Sequence, residues 1–188
     1  MSIVTLFGYP KRVVSVLPLI TFISQIKRGK YEDMIERFRD MHLRELDTLI
    51  DSQRRMIPKF SIAGNFKVEN RQLEIINYSG YLFFEIKYLH PREYENAKSF
   101  LMRCPYVFAC FKNSMGNGIC FILKSEEGIE SHSKVFRRAY RYFEKKLGTK
   151  RLSKEGEDIQ HMCRMSFDTK AHVNIASIPF PLRARIKY

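Results

Sequence analysis

The chain has 188 residues, 45% of them hydrophobic, which is enough for one domain of ordinary size with a buried core. Its 33 Lys and Arg against 20 Asp and Glu leave a formal net charge of +13, an imbalance that a polyanion or an anionic surface would satisfy as partner. No spanning helix is expected, because the best apolar run, Val13 to Ile26, falls short of about 20 residues and is closed by Lys27, Arg28 and Lys30.

Met1 to Pro10 lacks the basic region, apolar stretch and cleavage site of a secretory signal, so the expected location is cytoplasmic, with no membrane partner. The pattern predicts an α+β fold in a single domain. Residues 1–79 read as a helical and strand lobe, and residues 80–188 as a more regular half.

The first third reads as helical. Pro18 is placed to open a helix with Leu19, Ile20, Phe22, Ile23 and Ile26 on its apolar side. A second helix is expected from Tyr31 to Ile50, with Met34, Ile35, Phe38, Met41, Leu46, Leu49 and Ile50 at helical spacing. After Pro58 the pattern changes to short strands, Lys59 to Phe66 and Gln72 to Ile76, broken by Gly64 and a turn at Asn77 to Gly80. Tyr81 to Tyr88 alternates as a strand, Pro91 opens a helix to Arg103, and Tyr106 to Phe111 returns as a strand. The loop Lys112 to Gly118 carries Asn117-Gly118, which suits a tight positive-φ turn before the outgoing strand Ile119 to Lys124. A helix from Ser131 to Leu147 and a last strand near His161 to Phe167 complete a β-α-β-β-α-β order, the split βαβ unit of ferredoxin-like and RNA-recognition folds.

Cys104, Cys110, Cys120 and Cys163 form no CxxC pair and sit in apolar surroundings, as thiols of a reducing compartment do. His161, Cys163 and His172 lack a second ligand cluster at finger spacing, so no metal site is expected from them. Neither GxxxxGK[ST] nor GxGxxG occurs, which leaves no nucleotide cradle of those types and no expected cofactor.

The sharpest functional signal lies on the helix from Ser131. Lys134, Arg137, Arg138, Arg141 and Lys145 recur at steps of three and four and share one face, while Phe136, Ala139, Tyr140, Phe143 and Leu147 share the other. Lys150 and Arg151 extend the ridge, together with Lys146 and Lys154, and Glu144 is the one acid between His132 and Lys154. A solvated helix face usually mixes signs, so the reading is a phosphate-tracking surface for DNA or RNA. A second candidate surface lies on the strands: Tyr81 and Phe83, with Tyr106 and Phe108, could stack bases if that sheet face were open. With 13% aromatic residues to bury, these rings are expected in the core instead.

Met56 to Phe66, which contains IPKFSIAGNF, and the run Tyr78-Ser79-Gly80-Tyr81-Leu82-Phe83-Phe84-Glu85 resemble the N-terminal domain of virulence-associated-E-type proteins of bacterial mobile elements. Phe111 to Gly118, His132, Ser166-Phe167-Asp168, Asn174 and Pro179-Phe180 follow in the order of that family's landmarks. The family is similar to primase-polymerases of the archaeo-eukaryotic primase superfamily. The resemblance therefore implies a primase-like core with an RNA-recognition-like half, nucleic-acid association and replication of a mobile element, with unwinding supplied by a separate helicase.

The resemblance also implies where chemistry would sit, and those positions depart from it. An Asp-x-Asp pair is expected at the end of the Tyr81 strand, where this chain has Glu85-Ile86-Lys87. An ammonium there opposes a divalent cation, which wants oxygen ligands. Cys120 occupies the position of a basic or imidazole group, and Ser153 that of an acid, with Glu155, Glu157 or Asp158 as replacements if a gap shifts the match. The expected function is a nucleic-acid-binding domain with a degenerate centre and no catalytic residues. The alternatives are an active DNA primase or polymerase, which would need Mg or Mn, and a protein-interaction module for an acidic partner.

Overall fold

A computed structural model describes residues 3–9, 12–44, 47–70 and 72–182, with backbone alone for 47–51. The first third is not all helical. It opens with an antiparallel hairpin of β1 (Ile3–Gly8) and β2 (Arg12–Pro18). Val4, Thr5, Val13, Val14 and Val16 are β-branched and favour extended backbone. The apolar run from Val13 hides the change of period because strand and helix meet at Pro18. Beyond it, α1 (Leu19–Lys27) buries Leu19, Phe22, Ile23 and Ile26, while Ile20 stays exposed.

The helix expected from Tyr31 to Ile50 is two helices, α2 (Glu32–Leu43) and α3 (Asp47–Met56). The apolar stripe lapses at the end of α2, where Leu43 is 81% exposed and has no core to hold it. Leu46 of the expected stripe lies outside the described residues, as do the side chains of Leu49 and Ile50.

The run from Lys59 divides into β3 (Lys59–Ser61) and β4 (Gly64–Glu69), and β5 (Gln72–Tyr78) pairs back on β4 as a two-stranded ribbon. The next four elements fall close to where the sequence puts them: β6 (Tyr81–Ile86), α4 (Pro91–Arg103), β7 (Val107–Lys112) and β8 (Ile119–Lys124). The β7–β8 turn differs from expectation in detail. The positive φ belongs to Gly116, at 81°, and not to Asn117-Gly118. Gly118 is needed for closeness, since a Cβ there would lie 2.2 Å from the Ile86 carbonyl oxygen.

After α5 (His132–Leu147) the chain departs from the expected order. The strand anticipated at His161 to Phe167 shrinks to β9 (Cys163–Arg164), which pairs with β3 rather than joining the second sheet. Cys163 is buried there beside Phe60, and the Met165 amide donates to the Pro58 carbonyl at 2.8 Å, so this segment is held by the N-terminal strands. The fourth strand of the second sheet is β10 (His172–Val173), paired with β7. One sheet therefore runs β2-β1-β3-β9 and the other β10-β7-β8-β6, and every strand pairing among the described residues is antiparallel.

Alternation along β6 and β8 sends two sets of side chains to opposite faces of the second sheet. Leu82, Phe84, Ile86 and Phe121 meet α4 and α5 through Ala97, Leu101, Phe136 and Phe143. Tyr81, Phe83, Cys120 and Ile122 meet Phe60, Phe22 and Ile23 of the N-terminal segment. Phe60 lies at the join, with ring centroids 4.6 Å from Phe22 and 5.6 Å from Phe83. We expect Phe60→Ala to destabilise the domain by about 3–5 kcal/mol and Ile20→Ala by less than about 1 kcal/mol, measured by urea unfolding.

Candidate nucleic-acid interface

The amphipathic pattern of α5 is realised in three dimensions. Val135, Phe136, Ala139 and Phe143 are buried on the second sheet, with Phe84 stacked on Phe136 at 4.4 Å and Phe121 tilted against Phe143 at 4.9 Å. The cations take the other side: Lys134, Arg137, Arg141 and Lys145 are exposed, and Arg138 is half-buried. Lys150 and Arg151 are exposed on the connection that follows.

Neutralisation of this ridge is greater than a count along the helix suggests, because folding brings in acids from elsewhere. Arg137 donates to Glu157 at 2.6 Å, and Arg151 donates to Glu93 at 2.7 Å and to the Tyr88 carbonyl. Exposed pairs of this kind are weak and screened by solvent, so they can be exchanged for phosphate. Lys134, Arg141, Lys145 and Lys150 make no ion pair among the described residues.

Glu85, Lys87, Cys120 and Ser153 converge at one end of the second sheet. Glu85 on β6 lies directly across from Cys120 on β8. One Glu85 carboxylate oxygen accepts from Asn113 Nδ2 at 3.0 Å, and the other stands 3.8 Å from Lys87 Nζ, which donates to Glu155 at 2.6 Å. Ser153 is tied to the same group, its hydroxyl donating to Glu155 at 2.9 Å and its amide to the Glu85 carbonyl at 2.8 Å. Burial pushes the Glu85 carboxyl up, and Asn113 and Lys87 only partly offset it. Burial also works against the Lys87 charge, but Glu155 and Glu85 outweigh it and raise its pKa. The thiols of Cys120 and Cys163 are pushed well up by burial, so both stay neutral. His161 Nε2 sits 3.1 Å from Cys163 Sγ, while His172 lies on β10 of the other sheet, and no group of three ligating side chains gathers among the described residues.

The strand-face platform is closed. Tyr81, Phe83 and Phe108 are buried beneath the N-terminal elements, and Tyr106 belongs to the opposite cluster with Phe180 and Tyr142. These rings are core, and bases cannot reach them without displacing the first sheet.

Residues 51–172 match the family model described as BT4734-like, N-terminal domain. The chain belongs to the BT4734-like N-terminal domain family. Comparison with curated proteins and with solved structures returned no match. The matched stretch of the BT4734-like domain runs from α3 to the first residue of β10 and contains Glu85, Cys120, Ser153 and the whole of α5.

The same stretch contains a set of buried polar side chains whose work is structural. Asp168 accepts from Lys98 Nζ at 3.1 Å, from the Lys112 amide at 2.8 Å and from the Lys170 amide at 2.9 Å. It thereby fixes the turn before β10 and ties it to β7 and α4. Ser166 donates to the Lys112 carbonyl and accepts from Arg39 at 3.3 Å.

Arg39, buried on α2 outside the matched stretch, also donates to the carbonyls of Asn113 and Phe167, each at 2.9 Å, and so clamps the β7–β8 turn to the segment after β9. Asn113 completes the turn by accepting from the Gly118 amide at 3.1 Å. Sequence reasoning missed Arg39 and Lys98. The available signal was a cation inside an apolar stripe, Ile35-Phe38-Arg39 on α2 and Ala97-Lys98-Leu101 on α4.

Asp168→Ala leaves the Lys98 ammonium buried without its partner, and we expect a loss of about 3–5 kcal/mol in urea unfolding, partly recovered when Lys98→Met is added. Glu85 has a folded pKa above its ordinary 4.5, so its stabilising contribution is present below that value and is lost as pH rises through the folded pKa. The stability of Glu85→Gln relative to the unsubstituted domain should therefore increase between about pH 4.5 and about pH 7.5, read from unfolding curves at both.

Proposed function

We propose that this domain binds nucleic acid through the outer face of α5 and does no chemistry on it. The observation that carries the reading is the row of exposed cations Lys134, Arg141 and Lys145, free of carboxylate partners among the described residues, on a helix whose other face is fixed in the core. The helix has 16 residues and so spans about 24 Å, with Lys134 and Arg141 about two turns apart and Arg141 and Lys145 about one. Such a row follows a phosphate backbone and reads no bases, which leaves DNA and RNA equally acceptable.

The second part of the proposal is a primase-like scaffold with a degenerate centre, accessory to replication of a mobile element and working beside a separate helicase. The contacts around Glu85 support it. Its carboxylate is shared between Asn113 and Lys87, the position opposite is a neutral thiol, and hard divalent cations need several oxygen donors instead.

The test is fluorescence anisotropy against labelled single- and double-stranded oligonucleotides over a salt series. Replacing Lys134, Arg141 and Lys145 by Gln should weaken binding and flatten the logarithmic salt slope on duplex by about 2–3. Unchanged affinity would move the acidic-partner reading ahead. Nucleotide incorporation with Mg or Mn that Glu85→Ala abolishes would overturn the non-catalytic part.

A further inference from the structure

A second cluster of cations lies away from α5, on the first sheet. Register places Phe7 of β1 opposite Lys59 of β3, and Lys59 opposite Arg164 of β9, so these three side chains form one row across adjacent strands on the same face. The last turn of α3 brings Arg54 and Arg55 to that row, and with Tyr9 the set lines a pocket of about 370 Å³. That volume is within the range of small-molecule sites. No carboxylate is among its described lining residues.

Like charges directly opposite on neighbouring strands repel, and Lys59 and Arg164 are such a pair. The Arg164 Nε is buried and finds no hydrogen-bond partner among the described residues. Burial lowers the pKa of its guanidinium, with Arg54 adding to the effect, and the nearby charges of Glu85 and Glu155 do not restore it. The C-terminal end of α3 accounts for a preference for cations at Arg54 and Arg55, but not for the buried Nε of Arg164.

We infer that this pocket binds a phosphomonoester dianion, with Arg54, Arg55, Lys59 and Arg164 around the phosphate and the 59% exposed Tyr9 ring against the attached base. Arginine supplies paired N–H donors that match phosphate oxygens, and a planar ring accepts any base on its face. A pocket of this size suits a terminal phosphate, which offers three free oxygens and two charges, better than the interior of a strand. The source is either a free nucleotide or the phosphorylated end of a strand. The pocket stands whether or not α5 carries nucleic acid.

The experiment titrates the whole domain with three probes at low salt, followed by calorimetry: AMP, a short 5′-phosphorylated oligonucleotide and its 5′-hydroxyl twin. We expect the phosphorylated oligonucleotide to bind at least about tenfold tighter than its twin. The preference should vanish in Arg54→Gln/Arg55→Gln, two exposed positions at a helix end, and persist when Lys134, Arg141 and Lys145 are replaced by Gln. Competition by AMP assigns the site to free nucleotide as well, and its failure to compete assigns the site to strand ends. Equal binding of the twins with no binding of AMP overturns the inference, as does a preference that survives Arg54→Gln/Arg55→Gln. Loss of all oligonucleotide binding in the α5 variant with AMP binding intact separates failure at one site from failure at the other.

Discussion

Phe60 reaches from β3 onto the second sheet, where its ring meets Phe22, Phe83 and Phe111 within one aromatic seam. That seam decides which surfaces of the molecule are left for function. By sealing one face of β6 and β8 under the N-terminal strands and helices, it removes the aromatic platform through which an open sheet of this type could stack bases. The other face is taken by α4 and α5. The outer side of α5 and the pocket beside Arg164 stay open, and both carry cations.

The charges divide accordingly. Two of those drawn into the interior are matched: Lys98 by Asp168, and Arg39 by the carbonyls of Asn113, Ser114 and Phe167. Each match joins segments far apart in sequence, so the buried charges act as clamps between the β7–β8 turn, α2, α4 and the chain after β9. Lys134, Arg141 and Lys145, which make no ion pair among the described residues, stay at the surface of α5. A protein with a net charge of +13 has fewer carboxylates than cations to distribute, and this fold places two of them, Glu85 and Glu155, around Lys87. Both carboxylates are thereby engaged with the Lys87 ammonium.

The elements from Tyr81 to Lys124 and α5 were legible in the sequence because alternation, Pro91 and a sustained amphipathic period all agree there. The cation ridge was equally legible, since helical spacing alone puts Lys134, Arg141 and Lys145 on one side. What escaped were features that depend on distant partners. The β1–β2 hairpin was masked by an apolar run shared with α1. The segment near Cys163 carries no signal that it will leave the second sheet for β3, because its two-residue strand is defined by the Pro58 and Phe60 neighbourhood and not by its own pattern. The row of Phe7, Lys59 and Arg164 follows from that pairing, so the pocket it lines could not be seen until the register was known. Glu93 and Glu157 were likewise invisible as partners of Arg151 and Arg137 until folding brought them together.

The most direct test of the account is a footprint of lysine acetylation with and without a duplex oligonucleotide, read by mass spectrometry. Lys134, Lys145 and Lys150 are exposed on and beside α5, while Lys27, Lys30 and Lys170 are exposed elsewhere and serve as internal references. Protection confined to the first three is the predicted result. Uniform labelling of all six in the presence of saturating oligonucleotide, or protection at Lys27, Lys30 and Lys170 with the α5 lysines left open, would contradict it.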